Sequence, residues 1–135
     1  LDKETNLEVF GAIDDLWIDK NTKEIIVVDY KATSKKDEVS LDAEWQISYK
    51  RQIEIYQWLL KKNNLKISDL SFFVYCNGIK TKERFDNKLE FKIKLIPYKG
   101  NCEWVKNTLK SIHKVLNNNA PESKKNCEWC LYRKE

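Results

Sequence analysis

The feature that most constrains this chain is an apolar strand that ends in two opposite charges. Residues 25–28, a run of β-branched side chains, predict a strand that is buried on both faces. Asp29, Tyr30 and Lys31 continue this strand. Because side chains alternate between the two faces of a strand, Asp29 and Lys31 point to the same side, about 7 Å apart. By itself the pair has two interpretations: a salt bridge at the end of the strand, or part of a polar site.

A neighbouring strand supplies a second carboxylate. Residues 7–18 predict a strand or bent strand, and the short polar segment 19–23 joins it to the strand at 24–32, which predicts an antiparallel hairpin. In that hairpin Asp14 lies across from the Asp29 end of its partner.

Two carboxylates at close range repel each other unless a cation lies between them. Oxygen ligands, retained waters and substrate phosphate are what Mg²⁺ requires. The hairpin therefore predicts a divalent-cation site at Asp14 and Asp29, with Lys31 beside it to assist a water molecule and to stabilise phosphate charge. The adjacent Asp15 points to the opposite face, so we assign it to the surface or to a supporting position.

The remaining periodicity predicts two helices and two further strands. Helices are expected at 43–62 and 102–116, strands at 70–76 and 89–96, and a loop over the C-terminal tail. The order ββαββα predicts an α/β fold, more closely an α+β arrangement with a central mixed β-sheet flanked by helices. On the first helix Gln52 and Tyr56 are four residues apart and share one face.

Charge is unevenly distributed along the chain. Residues 1–78 have a net charge of −3 and residues 79–135 a net charge of +7. The basic half predicts either a surface for an anionic polymer or lysine-rich solvation. In the strand at 89–96 the lysines alternate with apolar residues and are expected to face water, where Lys92 and Lys94 are candidate DNA-binding residues.

Several function classes are excluded by composition. No apolar run approaches the roughly 20 residues of a membrane span, so no membrane partner is expected. The three glycines are too scattered for a nucleotide-binding loop, and one histidine leaves little room for histidine-based catalysis. Four cysteines with only one close pair do not resemble a secreted disulfide framework, which favours the cytoplasm.

Three short motifs together resemble the RecB-like branch of the PD-(D/E)XK nuclease superfamily. Its pattern is G-x-I-D on one strand, D-Y-K on the next and Q-x-x-x-Y on the following helix. Residues 11–14, 29–31 and 52–56 match it in order. The resemblance implies a restriction-endonuclease-like core and a Mg²⁺- or Mn²⁺-dependent deoxyribonuclease, with an exonuclease favoured over an endonuclease.

The same resemblance implies a role for each matching residue. Asp14 and Asp29 would hold the metal together with the Tyr30 carbonyl. Lys31 would be the catalytic lysine, and Gln52 and Tyr56 would support the active site and the DNA. The implied setting is DNA repair, recombination or CRISPR-type defence, with DNA as substrate and a helicase or another nuclease-complex subunit as a partner.

The tail carries a second resemblance. Cys127 and Cys130, with the Tyr-Arg pair after them, look like the C-terminal end of CRISPR-associated exonucleases and helicase-linked nucleases, where four cysteines ligate an iron–sulfur cluster. Cys127 and Cys130 would be two of the four ligands, so a cluster is expected only in a longer chain. Two free thiols are the simpler alternative. A zinc site that adds Cys102 and His113 is disfavoured by their separation of about 16 Å along a helix.

Two other functions stay open at this point. One is an inactive nuclease-like module that binds DNA or a helicase, although such a module has no reason to keep two mutually repelling carboxylates. The other is a subunit that cuts only in complex with a partner.

The family commonly has a helix before its first strand, and nothing of that kind precedes Gly11. We therefore expect residues 1–135 to be a single nuclease domain that lacks its upstream helix. Residues 119–135 are expected to form the cysteine-containing tail.

Overall fold

The computed structural model of the chain describes residues 1–84 and 86–133. The strands are β1 (Asp15–Ile18), β2 (Ile25–Thr33), β3 (Leu70–Gly78) and β4 (Phe91–Lys99). The helices are α1 (Ile47–Lys62), which follows a 3-10 turn at Glu44–Gln46, α2 (Trp104–Leu116) and the short α3 (Glu128–Tyr132). Within these residues every helix is too short or too polar to cross a bilayer.

The four strands form one mixed sheet in the order β1-β2-β3-β4. β1 and β2 are the expected antiparallel hairpin, in which Asp15 lies opposite Val28. β2 and β3 are parallel, a pairing that requires a crossover, and α1 supplies it. β4 then pairs antiparallel with β3. The mixed sheet with its helices confirms the predicted α/β fold class.

The core lies between α1 and one face of the sheet. The apolar run of β2 supplies Val27, which is fully buried, and the aromatic run of β3 supplies Phe73, also fully buried. Ile53 of α1 packs into the same cluster. This covered face of the sheet also carries Asp29 and Lys31, because they follow Val27 at a spacing of two residues.

A buried carboxylate secures α1 to the end of β4 and to the residues that follow it. Glu54 accepts hydrogen bonds from the Tyr98 hydroxyl at 2.7 Å, from the Asn101 amide at 3.0 Å and from the Trp104 indole at 2.6 Å. Burial and the contact with Glu54 raise the pKa of Tyr98. Because Glu54 already has three donors, its role is structural.

The chain falls into two compact units. One is Val9–Val105, which contains the sheet and α1. The other combines Leu1–Glu8 with Lys106–Glu135. Within the second unit the Glu4 carboxylate binds Lys106 and Lys110 of α2 at 2.5 and 2.8 Å, and these ammonium groups lower the pKa of Glu4 to about 2.

Two of the predicted elements were wrong in extent. The first strand covers only Asp15–Ile18, not 7–18, because Leu7 pairs locally with Asp2 in an isolated bridge and closes a turn. The tail is not all loop, since α3 forms one helical turn within it. A five-residue helix is shorter than the window in which helical periodicity can be recognised.

The predicted orientation of β4 was also wrong. Phe91, Ile93 and Leu95 are 49%, 61% and 47% exposed, so the apolar residues of this strand face the open side of the sheet. The alternate residues, which include Lys92 and Lys94, lie on the face that α1 covers. Ile96 and Tyr98, farther along β4, pack against the core and thereby fix which face is inward.

Candidate active site

The centre of the site is the ion pair at the end of β2. Asp29 is 1% exposed, and the Lys31 Nζ lies 2.6 Å from its Oδ2. At this distance the ammonium group is in direct contact with the carboxylate, and it is the partner that the structure gives to this buried oxygen. The predicted closeness of Asp29 and Lys31 is therefore confirmed.

Helix α1 holds the lysine in place. The Lys31 ammonium donates to the Gln52 Oε1 at 3.4 Å and lies 4.3 Å from the centre of the Tyr49 ring, a cation–π distance. Gln52 in turn donates from Nε2 to the Tyr56 hydroxyl at 2.9 Å. This bond confirms that Gln52 and Tyr56 share a helical face, and it gives a continuous polar chain from Asp29 to Tyr56.

Asp14 reaches the same end of β2 from the hairpin. It directly precedes β1, and the register that pairs Asp15 with Val28 brings it level with Asp29. Its Oδ2 accepts a hydrogen bond from the Tyr30 amide at 2.9 Å, while the side chain itself stays exposed. The structure therefore brings Asp14 and Asp29 together, as the hairpin predicts.

The buried carboxylate is electrostatically stressed. The pKa of Asp29 is raised above its ordinary value, chiefly because burial disfavours the charged form. Lys31 opposes this shift, and the negative charge of Asp14 adds to it. A cation between the two carboxylates would relieve both unfavourable effects.

Asp15 and the Tyr30 side chain lie on the opposite face. The Asp15 carboxylate accepts hydrogen bonds from the Tyr30 hydroxyl at 2.9 Å and from the Trp17 indole at 3.0 Å. These donors, together with the Leu16 amide, lower the pKa of Asp15. Its bonds hold the hairpin together on the far side of the sheet, in agreement with the assignment of Asp15 to a supporting position.

Gly11 is required by close packing within the site. A Cβ at this position would lie 2.5 Å from the Tyr56 Cε1, closer than carbon atoms approach. Tyr56 is only 8% exposed and its hydroxyl is bonded to Gln52, so its ring has little freedom to move. The glycine of the first motif and the tyrosine of the third are therefore adjacent in space, although 45 positions separate them in the sequence.

The donor set fits a hard divalent cation that keeps most of its water. Asp14 and Asp29 offer carboxylate oxygens, and the backbone of Tyr30 lies between them in the hairpin. Within residues 1–84 and 86–133 no three acidic, histidine or cysteine side chains converge on one point. Mg²⁺ characteristically binds through one or two carboxylates, with waters and substrate phosphate as the other ligands, whereas structural zinc requires four protein ligands.

The other candidate residues form contacts of their own. Lys94 is tied to the Glu38 carboxylate at 2.7 Å and to the Val39 carbonyl at 3.0 Å, whereas Lys92 is exposed. In the second unit Cys127 and Cys130 contact each other. A hydrogen bond from the Cys130 amide lowers the pKa of Cys127, and the contact with Cys127 raises that of Cys130.

One residue of the site was missed as a functional candidate in the sequence: Tyr49, whose ring contacts the Lys31 ammonium. Gln46, also missed, is 1% exposed and joins the Ser40 carbonyl to the Tyr75 hydroxyl, at 2.7 and 3.1 Å, so it anchors the segment before α1 to β3. The spacing of three residues between Tyr49 and Gln52 was the available signal, since such residues share a helical face.

Comparison with known proteins gives one match. A family model of the PD-(D/E)XK nuclease superfamily matches residues 3–134. No curated protein and no solved structure matches significantly. Nucleases of this superfamily act on DNA and generally use divalent metals such as Mg²⁺, and the mixed sheet agrees with their fold. Because the match covers nearly the whole chain, this chain belongs to the PD-(D/E)XK nuclease superfamily.

Proposed function

We propose that this chain is a RecB-like, Mg²⁺- or Mn²⁺-dependent exonuclease that hydrolyses phosphodiester bonds of DNA. The observation that carries the proposal is the buried Asp29, which contacts Lys31 at 2.6 Å and faces the second carboxylate of Asp14. A simple salt bridge needs neither the second carboxylate nor the polar chain through Gln52. The complete arrangement is the one that metal-dependent phosphodiester hydrolysis requires.

Asp14, Asp29 and the Tyr30 carbonyl would hold the cation. When bound, it would polarise the phosphate and lower the pKa of a water molecule. The Tyr30 amide orients Asp14 through its bond to Oδ2. Asp29 is oriented by β2 itself, whose paired neighbours on both sides make it the rigid part of the sheet.

Lys31 would supply positive charge where the phosphate gains negative charge, and its Nζ would orient the attacking water. Its position is fixed by Gln52 and by the Tyr49 ring, so little reorganisation is needed. Gln52 acts through Lys31 and is a positioning residue, and Tyr56 positions Gln52 in the same way.

The direct test is DNA cleavage by the wild type and four variants in Mn²⁺. Asp14→Asn, Asp29→Asn and Lys31→Ala should each abolish cleavage while the circular dichroism spectrum stays that of the folded protein. Asp15→Asn is the matched control, because it removes an adjacent carboxylate whose bonds lie on the opposite face. Cleavage that survives all three site substitutions, or that persists in EDTA, would falsify the assignment. DNA binding by the wild type without cleavage would instead support the inactive module.

The biological setting belongs to the same proposal. We propose a single nuclease domain over residues 1–135 that acts in the cytoplasm in DNA repair, recombination or CRISPR-type defence, with a helicase or another nuclease subunit as partner. Cys127 and Cys130 would contribute two ligands to an iron–sulfur cluster in a longer chain. Iron and sulfide analysis of the natural full-length protein, with and without Cys127→Ser, tests the cluster.

A further inference from the structure

An open groove between α1 and the Phe10–Gly11 segment borders the proposed active site. Its volume is about 390 Å³, within the range of small-ligand sites. Phe10, Ile47 and Arg51 line it together with Gln52 and Tyr56, the last two members of the polar chain described above. The groove is therefore continuous with the residues that hold Lys31.

The chemistry of this groove is unusual for a protein surface. Phe10 is 84% exposed, although removal of a phenylalanine side chain from water is favourable. Ile47, at the start of α1, is 47% exposed. Arg51 is also exposed, and among the residues that the structure describes it forms no salt bridge. The same groove therefore carries an exposed aromatic ring and a guanidinium without an ion-pair partner in the described part of the chain, and single-stranded nucleic acid binds to such groups by base stacking and by phosphate contact.

We propose that this groove binds one nucleotide of single-stranded DNA beside the bond that is cut. The base stacks on the ring of Phe10, and the phosphate binds the Arg51 guanidinium. The inference rests on the proposed nuclease function, because Gln52 and Tyr56 belong both to the groove and to the site. It adds the class of substrate, which the catalytic residues do not specify.

The stacking on Phe10 selects unpaired DNA for a geometric reason. In a duplex both faces of each base are covered by its neighbours, so a protein ring reaches a base face only after unstacking, which costs a few kcal/mol. A single strand or a frayed end offers that face at little cost. The groove should therefore favour single strands and open ends over internal duplex sites, in keeping with an exonuclease.

The test measures oligonucleotide binding in EDTA, where the proposed cleavage cannot occur. Fluorescence anisotropy with a single-stranded oligonucleotide should show about tenfold weaker binding for Phe10→Ala, since one base stacked on an aromatic ring contributes on the order of 1–3 kcal/mol. Phe10→Trp should restore the affinity. Phe91→Ala removes a half-exposed ring on the open face of the sheet, opposite Gly78, and should change nothing.

An abasic nucleotide moved stepwise along the oligonucleotide identifies the stacking directly. At one position the wild type should lose about as much affinity as Phe10→Ala loses on the intact strand. Phe10→Ala should bind the intact strand and the strand that is abasic at this position with the same affinity, because the stacking contact is already absent. Arg51→Gln should weaken binding to intact and abasic strands alike and reduce the salt slope by about 0.7, as expected for one phosphate contact.

The proposal is overturned if Phe10→Ala binds the single strand with the affinity of the wild type, or if it loses as much affinity for duplex as for single-stranded DNA. It is also overturned if the losses of binding free energy from Phe10→Ala and from the abasic nucleotide are additive at every position. These outcomes do not depend on catalysis. Binding that depends on Phe10 in a protein that never cleaves DNA would overturn the nuclease function alone. Normal cleavage with unchanged binding by Phe10→Ala would overturn the groove alone.

Discussion

The two nine-residue strands β2 and β4 each place a lysine on the face of the sheet that α1 covers, but the two lysines have different partners. In β2, Lys31 lies on the face that α1 covers and contacts the buried Asp29 at 2.6 Å. In β4, Lys94 lies on the same face, but its ammonium reaches past the sheet to Glu38 and the Val39 carbonyl. The first lysine belongs to a packed polar network, whereas the second secures the connection between β2 and α1, whose Val39 is buried in the core.

The difference follows from the position of each strand in the sheet. β2 has a neighbour on each side and a helix over one face, so a charge on that face must find partners there. β4 has one neighbour in the described sheet, and three of its apolar side chains, Phe91, Ile93 and Leu95, remain about half exposed. An alternating strand of this kind can face either way, and only its packing selects the inward face.

The largest contrast is expected in catalysis. Lys31→Ala should lower the single-turnover cleavage rate at saturating DNA by about 10²–10³-fold, the range for loss of one group that stabilises charge in the transition state, so that an endpoint assay detects no cleavage. Lys94→Ala should instead leave that rate nearly unchanged, because the partners of Lys94 are Glu38 and the Val39 carbonyl and not Asp29. Rapid-quench measurements over a range of DNA concentrations compare the two variants. Equal loss of rate at saturation in both variants would contradict the comparison.

The second contrast concerns the effect of a divalent metal on the stability of the fold. A divalent ion that binds only the folded state adds about 2.7 kcal/mol at a hundred times its dissociation constant. Thermal unfolding should therefore shift upward with Mn²⁺ in the wild type and stay unchanged in Asp29→Asn. A stabilising salt bridge alone predicts no metal response and a loss of stability on this substitution.

The raised pKa of Asp29 fixes the sign of its pH dependence. From the ordinary value of 3.8 up to the raised native value, the folded protein binds more protons than the unfolded chain. The contribution of Asp29 to stability in metal-free buffer should accordingly rise as the pH falls through that window, although carboxylates with lowered pKa values, such as Glu4 and Asp15, contribute with the opposite sign. Asp29→Asn should remove this contribution, which urea unfolding at several pH values measures. The same dependence of stability on pH in the wild type and in Asp29→Asn would contradict the raised pKa of Asp29.

A third contrast uses two glycines. Gly11→Ala places a methyl group 2.5 Å from the Tyr56 ring and should cost about 1–3 kcal/mol, the range for overpacking, with reduced cleavage because Tyr56 positions Gln52. Gly78→Ala is the matched control, since its methyl would meet the Phe91 ring at 3.5 Å, an ordinary contact. Denaturant unfolding compares the two. A neutral Gly11→Ala would show that the Tyr56 ring is free to shift.

The smallest effect is expected for the exposed lysine of β4. If Lys92 contacts a phosphate, Lys92→Glu should weaken duplex binding and reduce the slope of log affinity against log salt by about 0.9. Lys61→Glu is a suitable control, because Lys61 is paired with Asp69 at 2.8 Å instead. An unchanged slope for Lys92→Glu would show that Lys92 contacts solvent and no phosphate.

Most of the site was visible in the sequence because its signals are local. The polar end of an apolar strand, the short hairpin loop and the spacing between Gln52 and Tyr56 depend on neighbours a few residues apart. Strand alternation and helical pitch convert such spacings into shared faces. The hairpin then brings Asp14 to Asp29, and the bond between Gln52 and Tyr56 forms as its helical spacing predicts.

Packing between distant segments decided the rest. The sequence of β4 has two apolar alternations, one through Phe91, Ile93 and Leu95 and another through Ile96 and Tyr98. Only contact with the core selected the second. The contact of Gly11 with Tyr56 and that of Tyr49 with Lys31 likewise join residues far apart in the chain. Local periodicity determines which residues share a face, but the free energy of burying one face or the other depends on what lies across from it.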